Sequence, residues 1–224
     1  MQVAIFGSGG QLGRELLRAT WPAGFELRAF DRGEVDITDP VAVDLALSDA
    51  RLVINAAAYT AVDKAESEPA VAFRVNRDGP ELLARACSER SAALLHVSTD
   101  YVFDGRKVGG YLETDATAPL GVYGASKAAG EERVRELCGL HVILRTSWVV
   151  SAFGHNFVKT MLRLSAERDT LRVVDDQLGR PTPAKDLARV VVAIASCHAA
   201  GAPIAWGTYH FAGRGEASWH DVAT

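Results

Sequence analysis

The chain has 224 residues, is 48% hydrophobic and carries a formal net charge of −4, with no basic run longer than two residues. That composition supplies one sizeable core and excludes the electrostatic footprint of a nucleic-acid binder. No apolar stretch is long enough to span a bilayer, and the N-terminus lacks the basic segment of a secretory leader, so neither a membrane partner nor export is expected.

Residues 2–6 (Gln-Val-Ala-Ile-Phe) read as a short buried strand that runs into Gly7-Ser-Gly-Gly10-Gln11-Leu12-Gly13 and a helix-like segment to Ala19. Glycines at 7, 10 and 13, between a strand and a helix, suit a dinucleotide pyrophosphate. The first permits the tight turn, the second lets backbone approach the phosphates, and the third lets helix pack on strand. The helix N-terminus adds free N–H groups and a favourable dipole. An ordinary glycine-rich turn is the competing reading.

Residues 25–30 form the second strand, ending at Asp31-Arg32. An acid at this distance past the glycines bonds a ribose 2′-hydroxyl and favours NADH, whereas Arg32 is placed for the 2′-phosphate of NADPH, so both cofactors stay open. Asp36 and Ile37 fall where a loop closes over an adenine, although Asp36 is equally well a solvated loop residue. Thr38 or Asp39 caps the next helix, with Pro40 at its first position.

Residues 51–56 are a third, near-continuously apolar strand, as a central parallel strand should be, followed by the small residues Ala57 and Ala58 and then Tyr59. Residues 70–90 read as a long helix that Gly79-Pro80 interrupts or kinks, with Asn76 among its apolar positions. Residues 92–97, ending in Val97, are the fourth strand, and the hydroxyl-rich Ser98-Thr99-Asp100-Tyr101 is its exit. A helix from about 119 to 138, a fifth strand at 141–145 ending near Trp148, a helix at 156–164, a strand at 171–174, an apolar helix at 184–197 and a short strand at 208–211 follow. Ser218 looks like the N-cap of a final helix. Cys87, Cys138 and Cys197 are far apart, in helix-like or apolar settings, so three buried thiols in a reducing cytoplasm are expected. They make no metal spacing, and the six histidines make no cluster, so no metal site is assigned.

Within the 119–138 helix, Tyr123-Gly-Ala-Ser-Lys127 places a phenol and an ammonium one turn apart on one face. A phenol titrates near ~10, and a nearby ammonium lowers that value, so the pair can move a proton at a substrate oxygen. Thr99 supplies a hydroxyl to hold the same oxygen. Alternating β and α units argue for an α/β fold, a Rossmann-like doubly wound parallel sheet, with residues 1–147 binding NAD(P) and 148–224 forming a smaller C-terminal substrate lobe that sends return segments to the main sheet.

These motifs together resemble the extended short-chain dehydrogenase/reductases and, more narrowly, the dTDP-4-dehydrorhamnose reductase family. The stretches that carry the resemblance are Gly7–Gly13, residues 55–66 (Asn-Ala-Ala-Ala-Tyr-Thr-Ala-Val-Asp-Lys-Ala-Glu), residues 98–105 (Ser-Thr-Asp-Tyr-Val-Phe-Asp-Gly), Tyr123–Lys127, Arg145–Trp148 and Asp176–Thr182. The resemblance implies that Gly10, Gln11 and Leu12 lie on the pyrophosphate and Asp31 on the adenosine ribose. It puts Asp36 and Ile37 by the adenine, with Ala57, Ala58 and Tyr59 lining the cleft. Thr99, Asp100 and Trp148 meet the substrate, a dTDP-4-keto-6-deoxy sugar, while Tyr123 and Lys127 are catalytic and Lys127 also holds the nicotinamide ribose. It is compatible with a homodimer. Family members continue past the Ser218 region, so the substrate lobe is expected to be cut short. Competing readings are a 4-ketoreductase for another nucleotide-deoxysugar, a non-catalytic NADP-binding subunit, which would have lost the Tyr–Lys pair, and an epimerase or dehydratase. A dehydratase carries Asp-Glu after the threonine where this chain has Asp100-Tyr101.

Overall fold

The computed structural model describes residues 1–224. The chain alternates strand and helix: β1 (Gln2–Phe6), α1 (Gln11–Arg18), β2 (Glu26–Phe30), α2 (Pro40–Ala46), β3 (Leu52–Asn55), α3 (Val62–Ala65) and α4 (Pro69–Phe73). A π turn (Arg74–Asp78) then leads into α5 (Gly79–Arg90), β4 (Ala93–Thr99), a 3-10 turn (Asp100–Val102), α6 (Val122–Leu137) and β5 (His141–Thr146). Beyond these lie β6 (Val149–Val150), α7 (Phe157–Ser165), β7 (Leu178–Gly179), β8 (Thr182–Pro183), α8 (Ala184–Ala199), β9 (Gly207–His210), β10 (Ala217–Ser218) and α9 (Trp219–Ala223).

Six strands form the main sheet in the order β2-β1-β3-β4-β5-β9, and every pairing is parallel. The chain leaves β1 toward one edge for β2 and then returns past β1 to β3, so the order reverses between β1 and β3. In such sheets the crevice outside the carboxyl ends at this reversal is where ligands bind.

The strands read as apolar runs because both faces are covered. Ala4, Phe6, Val53, Leu94 and Ile143 pack under α2, α5 and α6. The alternate residues Val3, Ile5, Leu52, Ile54, Leu95 and Leu144 pack under α1 and α8. Thus α8 and β9, which follow the expected start of the substrate lobe, return to the main sheet, with β9 pairing to β5.

Asp39 caps α2, its carboxylate accepting from the N–H groups of Val41 and Ala42, with Pro40 at the first position. The 69–90 region runs through Gly79-Pro80 without a break. Pro80 has no N–H to offer the carbonyl four residues back, and the chain absorbs this by widening into the π turn just before it.

Two expectations fail. Residues 171–174 form no strand: their alternation is there, but only Val174 finds a backbone partner, its carbonyl accepting from His220 N–H at 3.1 Å. A strand needs a neighbour, and the lobe's antiparallel pairing is made instead by β7 and β10. Cys197 is exposed, on the outer side of α8, whereas Cys87 and Cys138 are buried free thiols.

A buried ion pair ties α6 to β5. Arg145 donates to Glu131 twice, at 2.8 and 2.6 Å, and their side chains are 4% and 0% exposed. Burial pushes the Glu131 carboxyl up, but the hydrogen bonds and charge of Arg145 outweigh this and hold it below its ordinary range. Glu131→Ala strands the Arg145 charge in the core, so urea unfolding should show a loss of about 3–5 kcal/mol. The double change Glu131→Leu with Arg145→Met should recover most of that loss.

Candidate active site

The glycine loop meets the end of β3 at backbone distance. A Cβ on Gly7, whose φ is +82°, would fall 2.6 Å from the Ala57 nitrogen, and one on Gly13 would fall 2.2 Å from the Gly7 carbonyl oxygen. Neither position admits a side chain. Gly10 caps α1 with no side-chain bond, which leaves the first N–H groups of that helix open to an anion. These features fit a dinucleotide pyrophosphate. Gln11 reaches the other way: its amide oxygen accepts from Asn156 at 3.0 Å and its amide donates to the Val149 carbonyl at 3.4 Å, so the α1 entry is tied to the loop after β6. Leu12 is buried against the sheet, so only its backbone is left to face a ligand.

Asp31 stands at the end of β2 with its Cβ 3.7 Å from where a Gly9 Cβ would lie. One carboxylate oxygen accepts from Gly33 and Glu34 N–H at 2.7 and 3.2 Å and shapes the turn. The other has no bond within the protein and suits a ribose hydroxyl. Arg32 is exposed beside it. Asp36 is committed to its own loop, accepting from Thr38 N–H at 2.9 Å and Thr38 hydroxyl at 2.8 Å. The Thr38 N–H is the main reason its carboxyl titrates low, with smaller help from the charges of Arg32 and Arg74. Ile37 is a core residue packed against Gly79, so its backbone is what remains for an adenine.

The Ala57–Tyr59 segment is held from behind. Ala57 N–H donates to Asn55 Oδ1 at 3.1 Å. Asn76, at the π turn, accepts from Tyr59 N–H at 2.8 Å and donates to the Tyr59 carbonyl and to Ser126 Oγ, each at 3.0 Å. Ala58 lies half-buried between them, and the Tyr59 hydroxyl donates to Glu68 at 2.9 Å.

At the next strand end Thr99 caps the 3-10 turn. Its hydroxyl accepts from Tyr101 N–H at 3.2 Å and donates to Asp100 at 3.1 Å. Burial raises the Asp100 carboxyl to about 6 against the pull of Thr99 and two backbone N–H groups. Tyr123 opens α6, edge-on to Tyr101 with ring centroids 5.5 Å apart. Lys127, one turn on, is 2% exposed and donates to the Val97 carbonyl at 2.7 Å.

The electrostatics differ from the simple ammonium–phenolate picture. Burial pushes the Tyr123 phenol up to about 12, the Thr99 hydroxyl opposes that, and Lys127 contributes no appreciable lowering. Burial also takes the Lys127 amine down to about 8, with Glu131 opposing; it stays mostly protonated at pH 7, but its charge does not offset the burial of the phenol. Tyr123 therefore stays protonated at neutral pH.

Trp148 lies beyond β5 with a left-handed backbone, φ +44°. Its ring stacks on Trp219 at 3.5 Å and 7°, and a Gly179 Cβ would lie 2.3 Å from it. The nearest thing to a metal cluster is Asp175, His220 and Asp221, exposed, with ligand-type atoms within 4.8 Å. Its carboxylates already serve Ser218, which donates from Oγ to Asp175 and from N–H to Asp221 in the N-terminal capping box of α9.

Sequence reasoning passed over three residues that build the site. Glu66 accepts from Val122 N–H at 2.8 Å and so holds the first turn of the helix bearing Tyr123; its signal was its place at the end of the 55–66 stretch. Asn55 and His96 lie side by side on β3 and β4, each 0% exposed, and His96 faces Lys127. A histidine inside an apolar strand was the clue.

All of residues 1–224 match the family described as the RmlD substrate binding domain. The chain is 48% identical over 225 residues to a dTDP-4-dehydrorhamnose reductase from Aggregatibacter actinomycetemcomitans, covering 99% of this chain and 76% of that one. It is 46% identical over 229 residues to the enzyme of the same name from Escherichia coli K12, covering 100% and 76%. Among solved structures it superposes with TM-score 0.93 and 39% identity on a Bacillus anthracis dTDP-4-dehydrorhamnose reductase in complex with NADP, covering 99% of this chain and 78% of that one. The chain therefore belongs to the dTDP-4-dehydrorhamnose reductase family, within the Rossmann-like extended short-chain dehydrogenase/reductases.

Proposed function

We propose that this chain reduces the 4-keto group of dTDP-4-dehydrorhamnose to give dTDP-L-rhamnose, with NADPH or NADH as the reductant and in the cytoplasm. The observation that carries the reading is the meeting of Thr99, Tyr123 and Lys127 at the same sheet edge as the glycine cradle. A nicotinamide bound there supplies the hydride. The residues of the chain do the rest by position and charge.

A protonated phenol is what reduction needs. Tyr123, kept neutral by burial, holds the proton that the carbonyl oxygen takes up as it becomes an alkoxide. Thr99 is fixed by the strand end and donates a second hydrogen bond to the same oxygen. Asp100 already accepts from that hydroxyl, so Thr99 must turn from Asp100 to the substrate. Lys127, with one N–H spent on the Val97 carbonyl, has others left for the nicotinamide ribose. Gly7, Gly10, Gln11, Leu12 and Gly13 offer backbone to the pyrophosphate, Asp31 or Arg32 reads the ribose, and Trp148 stands at the sugar side.

Tyr123→Phe should lower kcat by about a thousand-fold, as loss of a general acid does, while the cofactor dissociation constant read by tryptophan fluorescence stays within about twofold. Full activity in this variant would remove Tyr123 as the acid. Arg32→Ala should weaken NADPH by about tenfold and NADH by much less, since only the former carries the 2′-phosphate. Equal losses would end that assignment.

Lys127 makes a pH prediction. Its pKa falls from the ordinary 10.5 to about 8 on folding, so between those values the unfolded chain binds the extra proton. Stability conferred at this site is therefore smallest below pH 8 and rises toward pH 10.5. Relative to Lys127→Met, the native chain should gain up to about 3 kcal/mol across that window in denaturant titrations.

A further inference from the structure

His96 is fully buried in the middle of β4, with its two ring nitrogens facing different partners. Nδ1 lies 3.0 Å from Asn55 Nδ2, and Nε2 lies 3.5 Å from Lys127 Nζ. The orientation of the Asn55 amide is fixed independently, because its oxygen accepts from Ala57 N–H at 3.1 Å. The nitrogen that faces His96 can only donate. Nδ1 must therefore carry the lone pair, and the proton of the neutral ring sits on Nε2.

That proton points at Lys127. An ammonium has donors on every side and no acceptor. One N–H reaches the Val97 carbonyl at 2.7 Å, but toward His96 an ammonium would set N–H against N–H. A free amine instead offers its lone pair to the ring. We infer that the Asn55–His96 pair is a positioning device that presents an N–H to Lys127, favours its amine over its ammonium, and so poises this lysine to change charge close to neutral pH.

The other groups around Lys127 agree with this. On its own helix Glu131 favours the ammonium, but that carboxylate already accepts from Arg145 on β5 and from Arg135 at 3.1 Å. Tyr123 is neutral. His141, on β5, lies close enough to His96 to disfavour a charged ring, and burial and Lys127 do so more strongly. No carboxylate bonds His96, so nothing draws its ring into the charged form.

The inference deepens the proposed reduction and rests on it only for its effect on turnover. It is tested first by long-range proton–nitrogen correlation NMR on the full chain labelled with 15N-histidine, with the His96 signals assigned by their loss in His96→Gln. The expected result is an Nε2–H tautomer that does not titrate between about pH 5 and 9, a window on either side of the ordinary histidine value near ~6.5. An Nδ1–H tautomer, or a midpoint near that ordinary value, would overturn the inference. The second test changes the amide to an acceptor. In Asn55→Asp the ring must donate from Nδ1, so Nε2 turns its lone pair to Lys127. The lysine 13Cε signal missing from Lys127→Met should then titrate about one unit or more higher than in the native chain, and an unmoved midpoint would overturn the inference. The inflection of kcat/KM with pH should move with that signal. A lysine that moves while the profile stays put supports the pair and counts against the role of Lys127 in reduction, which separates the two failures.

Discussion

Covering both faces of a parallel sheet leaves no water for any polar group placed inside it. That constraint governs the region between β3, β4, β5 and α6. Asn55, His96, Lys127, Glu131 and Arg145 are all buried, and each must find its partner within the protein. They do so in two connected sets. One runs from the Ala57 backbone through Asn55 and His96 to Lys127. The other joins Arg145 and Glu131, and through them α6 and β5. A buried charge with one partner removed is costly, whereas a satisfied network is rigid. The face of α6 that carries Tyr123 and Lys127 is thus held from below by its polar groups rather than by apolar packing alone.

The same burial determines what those groups can do. Desolvation raises the Tyr123 phenol and lowers the Lys127 amine, so both are biased toward their uncharged forms. In the proposed reduction, charge that develops on a substrate oxygen is met by preorganised donors in a region of low dielectric, where each hydrogen bond counts for more than in water.

Much of the fold was legible in the sequence because the signals were local. The strand at 2–6 and the N-cap at Ser218 each depend on a few adjacent residues and lie where expected, and of the two candidate caps Thr38 and Asp39 it is Asp39 that caps α2. The segment at 171–174 departs from its expected strand for the opposite reason: its alternation of apolar residues is local, but a strand is made by a neighbour that no local pattern reveals. Tyr123, Lys127 and Thr99 could be named from spacing and from their place at strand or helix ends. Their electrostatics could not, since the shifts at Tyr123 and Lys127 come from burial by elements distant in the chain. Asn55 and His96 were invisible as a pair because only the β3–β4 register sets them side by side.

The π turn before Gly79-Pro80 bears on how the site is aimed. A residue inserted into an α-helix shifts every later side chain by about 100° around the axis unless a wider turn absorbs it. Here the widening falls on Arg74–Asp78 and includes Asn76. The helix can therefore point Asn76 toward Tyr59 and Ser126 while α5 keeps Leu83, Ala84 and Cys87 against the sheet. A one-residue deletion there would put the two halves of the helix in competition, one facing the core and the other the cleft. The turn works as a phase adjuster that lets a single helix meet two geometric demands a regular one cannot satisfy together.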